Sequence, residues 1–137
     1  MESIAEKIDV KEKIPEMVEL ILSAMSLDCL KKRVVIRFTH TRRGRCAYLH
    51  YDQVAELRLP NSMDKYYRGY ESTTCHELAH AIVFCLHGHA DGIHGNKFKD
   101  TLEHVVKTWY SNPNDYNWNT EYSRIRLFAQ EKGYLKT

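Results

Sequence analysis

The sequence predicts an α+β fold, with an N-terminal helix, a three-stranded antiparallel sheet, a central helix and further helices toward the C-terminus. Three observations predict it. Apolar residues recur at helical spacing between 14 and 25. Three short runs with strand character follow one another between 34 and 59. Helical periodicity then returns and is broken by glycines near 88–95 and by Asn112-Pro113.

The first helix is carried by Ile14, Val18, Ile21, Leu22 and Met25. Asp9 followed by Glu12 resembles a capping box, and Pro15 fits best in a first turn. These signals predict an amphipathic core helix from about 11–15 to 26.

The run Val34-Val35-Ile36-Arg37-Phe38 is β-branched and predicts a strand. Thr41-Arg42-Arg43-Gly44-Arg45 reads as its turn, and Cys46–Tyr51 as a second strand. Asp52-Gln53 is a candidate turn. Val54–Leu59 is a third strand, stopped by Pro60 and Asn61. Short links between consecutive strands favour an antiparallel meander. Residues 61–71 read as a loop whose Tyr66, Tyr67 and Tyr70 either line a cleft or cap the core.

Ser72 or Thr73 can N-cap the central helix, which runs to about Leu86 and breaks at Gly88. Leu78, Ala79, Ala81, Ile82, Val83, Phe84 and Leu86 make it apolar over most of its circumference. Such a helix is buried, so the His76, Glu77 and His80 it carries need partners. Phe98, Leu102, Val105, Val106 and Trp109 share one face of the next helix. After the loop Ser111–Asp115, Tyr122, Ile125, Phe128 and Ala129 mark a last helix, capped by Thr120 and ended near Gly133. No repeat or internal boundary is visible, which predicts a single domain over 1–137.

Length and composition suit one globular core: 137 residues, 43% hydrophobic and 28% charged. A net charge of +2 does not demand a nucleic-acid partner, so any such contact needs a local basic patch. Arg42, Arg43 and Arg45 at the first turn, and Lys31, Lys32 and Arg33 before the first strand, are the candidates for DNA phosphates. A solvated turn and a charged strand boundary explain them more simply. The four cysteines form no C-x-x-C pair and read as reduced thiols. There is no signal-peptide core and no apolar run near the ~18 residues of a membrane span. These features lead us to expect a cytoplasmic protein without a membrane partner. Its oligomeric state is not legible.

The chemistry lies in His76-Glu77-Leu78-Ala79-His80. On a helix the two histidines sit about 40° apart and one turn up, so both rings can face one metal ion. Glu77 is next to His76 in the turn and can reach a water at that metal. A catalytic zinc needs a third protein ligand. His87 lies ~10 Å further along the axis and is too far. His94, Glu103 and His89 remain, in that order.

Together with Asp91-Gly92-Ile93-His94-Gly95-Asn96-Lys97-Phe98 and the strand Ala55–Leu59, the motif His76–Ala81 resembles SprT-like metallopeptidases, over roughly residues 34–110. The resemblance implies a minimal zincin-like domain. It implies one Zn2+ held by His76, His80 and His94, Glu77 as general base, and cleavage of peptide bonds in a protein or peptide substrate. Some members of that family act on proteins crosslinked to DNA. Members often carry a C-terminal zinc ribbon, whereas residues 111–137 here contain no Cys.

Three finer expectations follow. Gly95 is expected to let the chain turn so that His94 faces the ion, with Phe98 anchoring the next helix. The strand before the central helix is a candidate edge strand for an extended substrate. Tyr66, Tyr67, Tyr70 and Tyr116 are candidate oxyanion stabilisers. The reading is thus a zinc metallopeptidase; the alternative is a non-catalytic zinc-containing module that binds a partner or nucleic acid.

Overall fold

The computed structural model describes residues 4–40, 43–49, 53–61, 69–88 and 94–135, with side chains from residue 12 onward. Helix α1 (Ile4–Ala24) is followed by strands β1 (Val34–Thr39), β2 (Arg45–Leu49) and β3 (Val54–Pro60). Helices α2 (Tyr70–His87), α3 (Asn96–Trp109) and α4 (Ser123–Glu131) complete an α+β architecture of four helices and a three-stranded mixed sheet.

Helix α1 starts earlier than its capping signals suggest and keeps Pro15 inside it. Of the expected face, Ile14, Val18, Ile21 and Leu22 are at most 4% exposed and Met25 is only half-buried, while Met17 joins the buried stripe. Packing of that stripe overrides the local signals at Asp9 and Pro15. The helix ends in a Schellman motif, in which Leu27 N–H donates to the Leu22 carbonyl and Ser26 takes φ 59°.

The sheet order is β1-β3-β2. β2 pairs antiparallel with β3, with Cys46 opposite Leu57. β1 pairs with β3 in parallel, with Val34 opposite Ala55. The expected meander is therefore wrong, and β3 is the central strand, not an edge. Ala55, Leu57 and Leu59 have no exposed surface, whereas most residues of β1 and β2 keep some. The most deeply buried strand takes the position with neighbours on both sides. With β3 between them, β1 and β2 lie two strand spacings apart, about 10 Å, too far for a tight hairpin between the two.

Helix α2 lies between the sheet on one side and α1 and α3 on the other. Its all-round apolar surface matches this place, with Leu78, Ala79, Ala81, Ile82 and Val83 buried. Phe84 packs on Tyr48 of β2 with ring centroids 4.7 Å apart. The helix begins at Tyr70, so Ser72 and Thr73 lie inside its first turn and do not cap it. Gly88 ends it in the left-handed region, and its N–H donates to the Phe84 carbonyl.

Phe98, Leu102, Val105 and Val106 form the buried face of α3 as expected. Trp109 Nε1 donates to Glu71 and ties the end of α3 to the start of α2. Beyond it, Trp118 is 1% exposed, stacks on Tyr134 and donates to the Pro113 carbonyl. Thr120 donates to Asn117 within its own turn; the N-cap of α4 is Tyr122. Ile125, Phe128 and Ala129 are buried, but Tyr122 is 52% exposed and so is not part of the core face. Gly133, at φ 80°, closes α4 in a second Schellman motif. All four cysteines are free thiols. Among the described residues, no helix is long and apolar enough to cross a membrane.

Leu57→Ala should show how far the centre of the sheet carries the core. The truncation is expected to cost about 2–5 kcal/mol, read as a lower urea midpoint at an unchanged slope. The same change at Leu49, 41% exposed on β2, should cost well under half as much.

Candidate metal centre

His76 and His80 lie one turn apart on α2, and His94 stands just before α3. The three rings come together with centroids 5.0–5.2 Å apart. One ligand atom from each lies within 4.8 Å of the others, a group that could hold a metal ion. Phe98 backs the cluster, stacked on His80 at 4.1 Å. His94 takes φ 58°, in the left-handed region, where a non-glycine residue is strained. Gly95 has φ −73° and ψ −174°, which any residue can adopt. The turn that brings His94 in is therefore made at His94 itself, not at Gly95.

Glu103, the next ligand candidate, is engaged with other partners. Glu103 accepts from the Tyr134 hydroxyl and faces Lys107 and Lys132 at 3.6 and 3.7 Å. His89 lies outside the described residues.

One residue of this neighbourhood escaped the sequence reading. Glu121 Oε2 accepts from His76 Nδ1 at 2.9 Å and from the Tyr116 hydroxyl at 2.6 Å. Its only sequence signal is that it is the one carboxylate in the aromatic stretch Tyr116–Tyr122.

A family model described as SprT-like matches residues 15–124, a span that takes in all three histidines, Glu77 and Glu121. The chain belongs to the SprT-like family. No match was found among curated proteins or among solved structures.

The electrostatics of this SprT-like site suit a cation. Burial drives the His80 pKa down to about 3, and the neighbouring His76 and His94 add to the effect. His94 is lowered by burial, by His76 and by Arg124, against an opposing pull from Glu121. Neutral rings keep the lone pairs a metal needs. At His76, burial also opposes the charge, but the hydrogen bond and negative charge of Glu121 outweigh it and raise the pKa. Among the described residues, His80 Nδ1 is buried without a hydrogen-bond partner. Three imidazoles and such an orphaned nitrogen fit a bound metal better than they fit a closed polar network.

Glu77 is 7% exposed and stands beside the histidines. Burial raises its pKa to about 7; Glu121 adds to the rise, while His76 and Arg45 oppose it. A cleft lined by Arg43, Gly44, Thr73, His76, Glu77 and Tyr122 gives access. Tyr122 stacks on His94 at 4.8 Å.

The candidate oxyanion groups separate clearly. Tyr116 is buried and its hydroxyl is committed to Glu121. Tyr70 is buried in the first turn of α2. Tyr66 and Tyr67 lie outside the described residues. Of the basic residues, Arg43 lines the cleft, while Arg42 lies outside the described residues. Lys31 pairs with Asp28, and Arg33 Nε donates to the Gln53 carbonyl, so both serve local structure.

A Cβ added at Gly44 would stand 2.7 Å from Thr73 Cγ2 and 3.2 Å from Glu77 Cγ. Gly44→Ala should therefore force the link away from α2 at a cost of about 1–3 kcal/mol, measurable by urea unfolding. A Gly44→Ala protein as stable as the parent would mean that the link does not press on Glu77.

Proposed function

We propose that this SprT-like chain is a zinc-dependent peptidase with a zincin-like fold. His76, His80 and His94 are the zinc ligands and Glu77 is the general base. The observation that carries this reading is three imidazoles converging within 4.8 Å beside a buried carboxylate that is not one of the three. Three nitrogen donors with a side open to a cleft match the donor set of catalytic zinc rather than closed structural zinc. Bound there, zinc supplies a Lewis acid that acidifies water and polarises a carbonyl.

The chain's own residues supply the rest. Glu77 takes a proton from the attacking water and returns it to the leaving amine. In the metal-free chain burial raises the proton affinity of Glu77, which favours its accepting that proton. Phe98 closes the back of the cluster against water. Substrate enters from the cleft, as a peptide in an extended conformation. β2, not β3, is the sheet edge on the cleft side, so backbone pairing with the substrate falls to β2.

A second reading takes DNA as an additional partner, through Arg42, Arg43 and Arg45. The observation favouring it is that Arg43 lines the cleft and Arg45 acts on Glu77. Phosphate contact there would make binding fall steeply with salt; salt-insensitive binding would remove it.

Protein purified without added metal should contain close to one zinc per chain, and chelation should lower its Tm. Absence of metal, with no rise in Tm on adding zinc, would sink the proposal. Glu77→Gln should keep zinc and fold while hydrolysis of an unstructured protein falls by about 10²–10⁴-fold. Glu77→Gln with near-parental activity would exclude Glu77 as the base. His94→Ala should lose zinc, whereas Glu103→Ala should keep it; the reverse would reassign the third ligand.

A further inference from the structure

Glu121 stands 45 residues beyond His76, outside the H-E-x-x-H motif, yet it makes the one carboxylate contact to a cluster histidine among the described hydrogen bonds. The chemistry of that contact is restrictive. An ionised carboxylate only accepts, so the proton of a neutral His76 must sit on Nδ1. Nε2 is then the nitrogen with a lone pair. A ring without such a partner can hold its proton on either nitrogen and can rotate, and each alternative weakens metal binding.

The carboxylate is itself held. Tyr116 is 4% exposed and donates its hydroxyl to the same Oε2 that accepts from His76. The Tyr116 ring meets Trp118 edge-on at 4.7 Å. Trp118 in turn is fixed by its hydrogen bond to the Pro113 carbonyl and by stacking on Tyr134 at 5.3 Å. A buried carboxylate near Glu77 is costly to keep, and the hydrogen bonds from His76 and Tyr116 offset that cost.

We propose that Glu121 is a positioning residue of the metal centre: it holds His76 as the Nδ1–H tautomer with Nε2 as ligand atom, and Tyr116 holds Glu121. This rests on the zinc-ligand assignment proposed above. The segment 116–121 thereby becomes part of the metal centre, although it contributes no ligand.

The test compares Glu121→Ala, Glu121→Gln, Tyr116→Phe and Glu121→Ala/Tyr116→Phe in the full chain. Zinc affinity is read by competition with a chromophoric chelator, ligand geometry by the visible spectrum of the Co2+-substituted protein, and folding by the Tm of each metal-free protein. Glu121→Ala should weaken zinc binding by about 10–100-fold and alter the cobalt bands. Glu121→Gln is nearly isosteric and can still accept from Nδ1, so it should fall between Glu121→Ala and the parent. Tyr116→Phe should weaken binding by less than Glu121→Ala, and should have no further effect when Glu121 is already Ala. If Glu121→Ala does not fold, Glu121→Gln with Tyr116→Phe carries the comparison. Parental zinc affinity and cobalt spectrum in Glu121→Ala, or in that pair, would overturn the inference while leaving the ligands in place. A parent chain that binds no zinc would overturn the ligand assignment itself, and this inference with it.

Discussion

A helix that is apolar over most of its circumference leaves little solvent for a polar side chain to reach. α2 is such a helix, held between a sheet and two other helices, and it carries buried His76 and Glu77 and partly buried His80. Groups of this kind are tolerated inside a protein only when they satisfy one another or an ion. Much of the surrounding structure answers that demand. His94 is brought in at the cost of a left-handed backbone, Glu121 is brought from the C-terminal segment, and Phe98 fills the space behind the rings. The interior tolerates the polar group because its members are mutually arranged.

The same arrangement separates two carboxylates that share one neighbourhood. Glu121 is bound by two donors, a phenol and an imidazole. Glu77 has burial as the dominant influence on it, and its proton affinity rises accordingly. Environments that differ in this way assign different tasks to identical functional groups. One is held in place by its two donors, and the other is set apart by its burial.

Much of this was legible in the sequence because it is local. Helical spacing of His76 and His80, the apolar run around them and the stripes of α1 and α3 each lie within one element. His94 was legible because a loop follows Gly88 and a helical stripe resumes at Phe98. The sheet was legible as three strands but not in its order. Alternation says that Ala55, Leu57 and Leu59 face one way, and not which strands flank them. Consecutive strands usually pair, and here the exception follows from burial: the strand with no exposed apolar side chains takes the centre. Glu121 was not legible because its partners are assembled from distant segments and no spacing rule links it to His76. The backbone of His94 was misjudged for another reason. A neighbouring glycine is the cheaper place for a turn, and only the fold shows that the strain falls on the histidine.

The close approach of Gly44 to α2 has a consequence for how this protein can be altered. Surface links between strands are commonly where a chain accepts extra residues. Gly44, just before β2, is wedged against Thr73 and Glu77 with no room for a methyl group. The identity of this residue is set by the helix it leans on. A position that looks like spare surface is in fact a gauge block, and its size fixes the clearance around the buried acid.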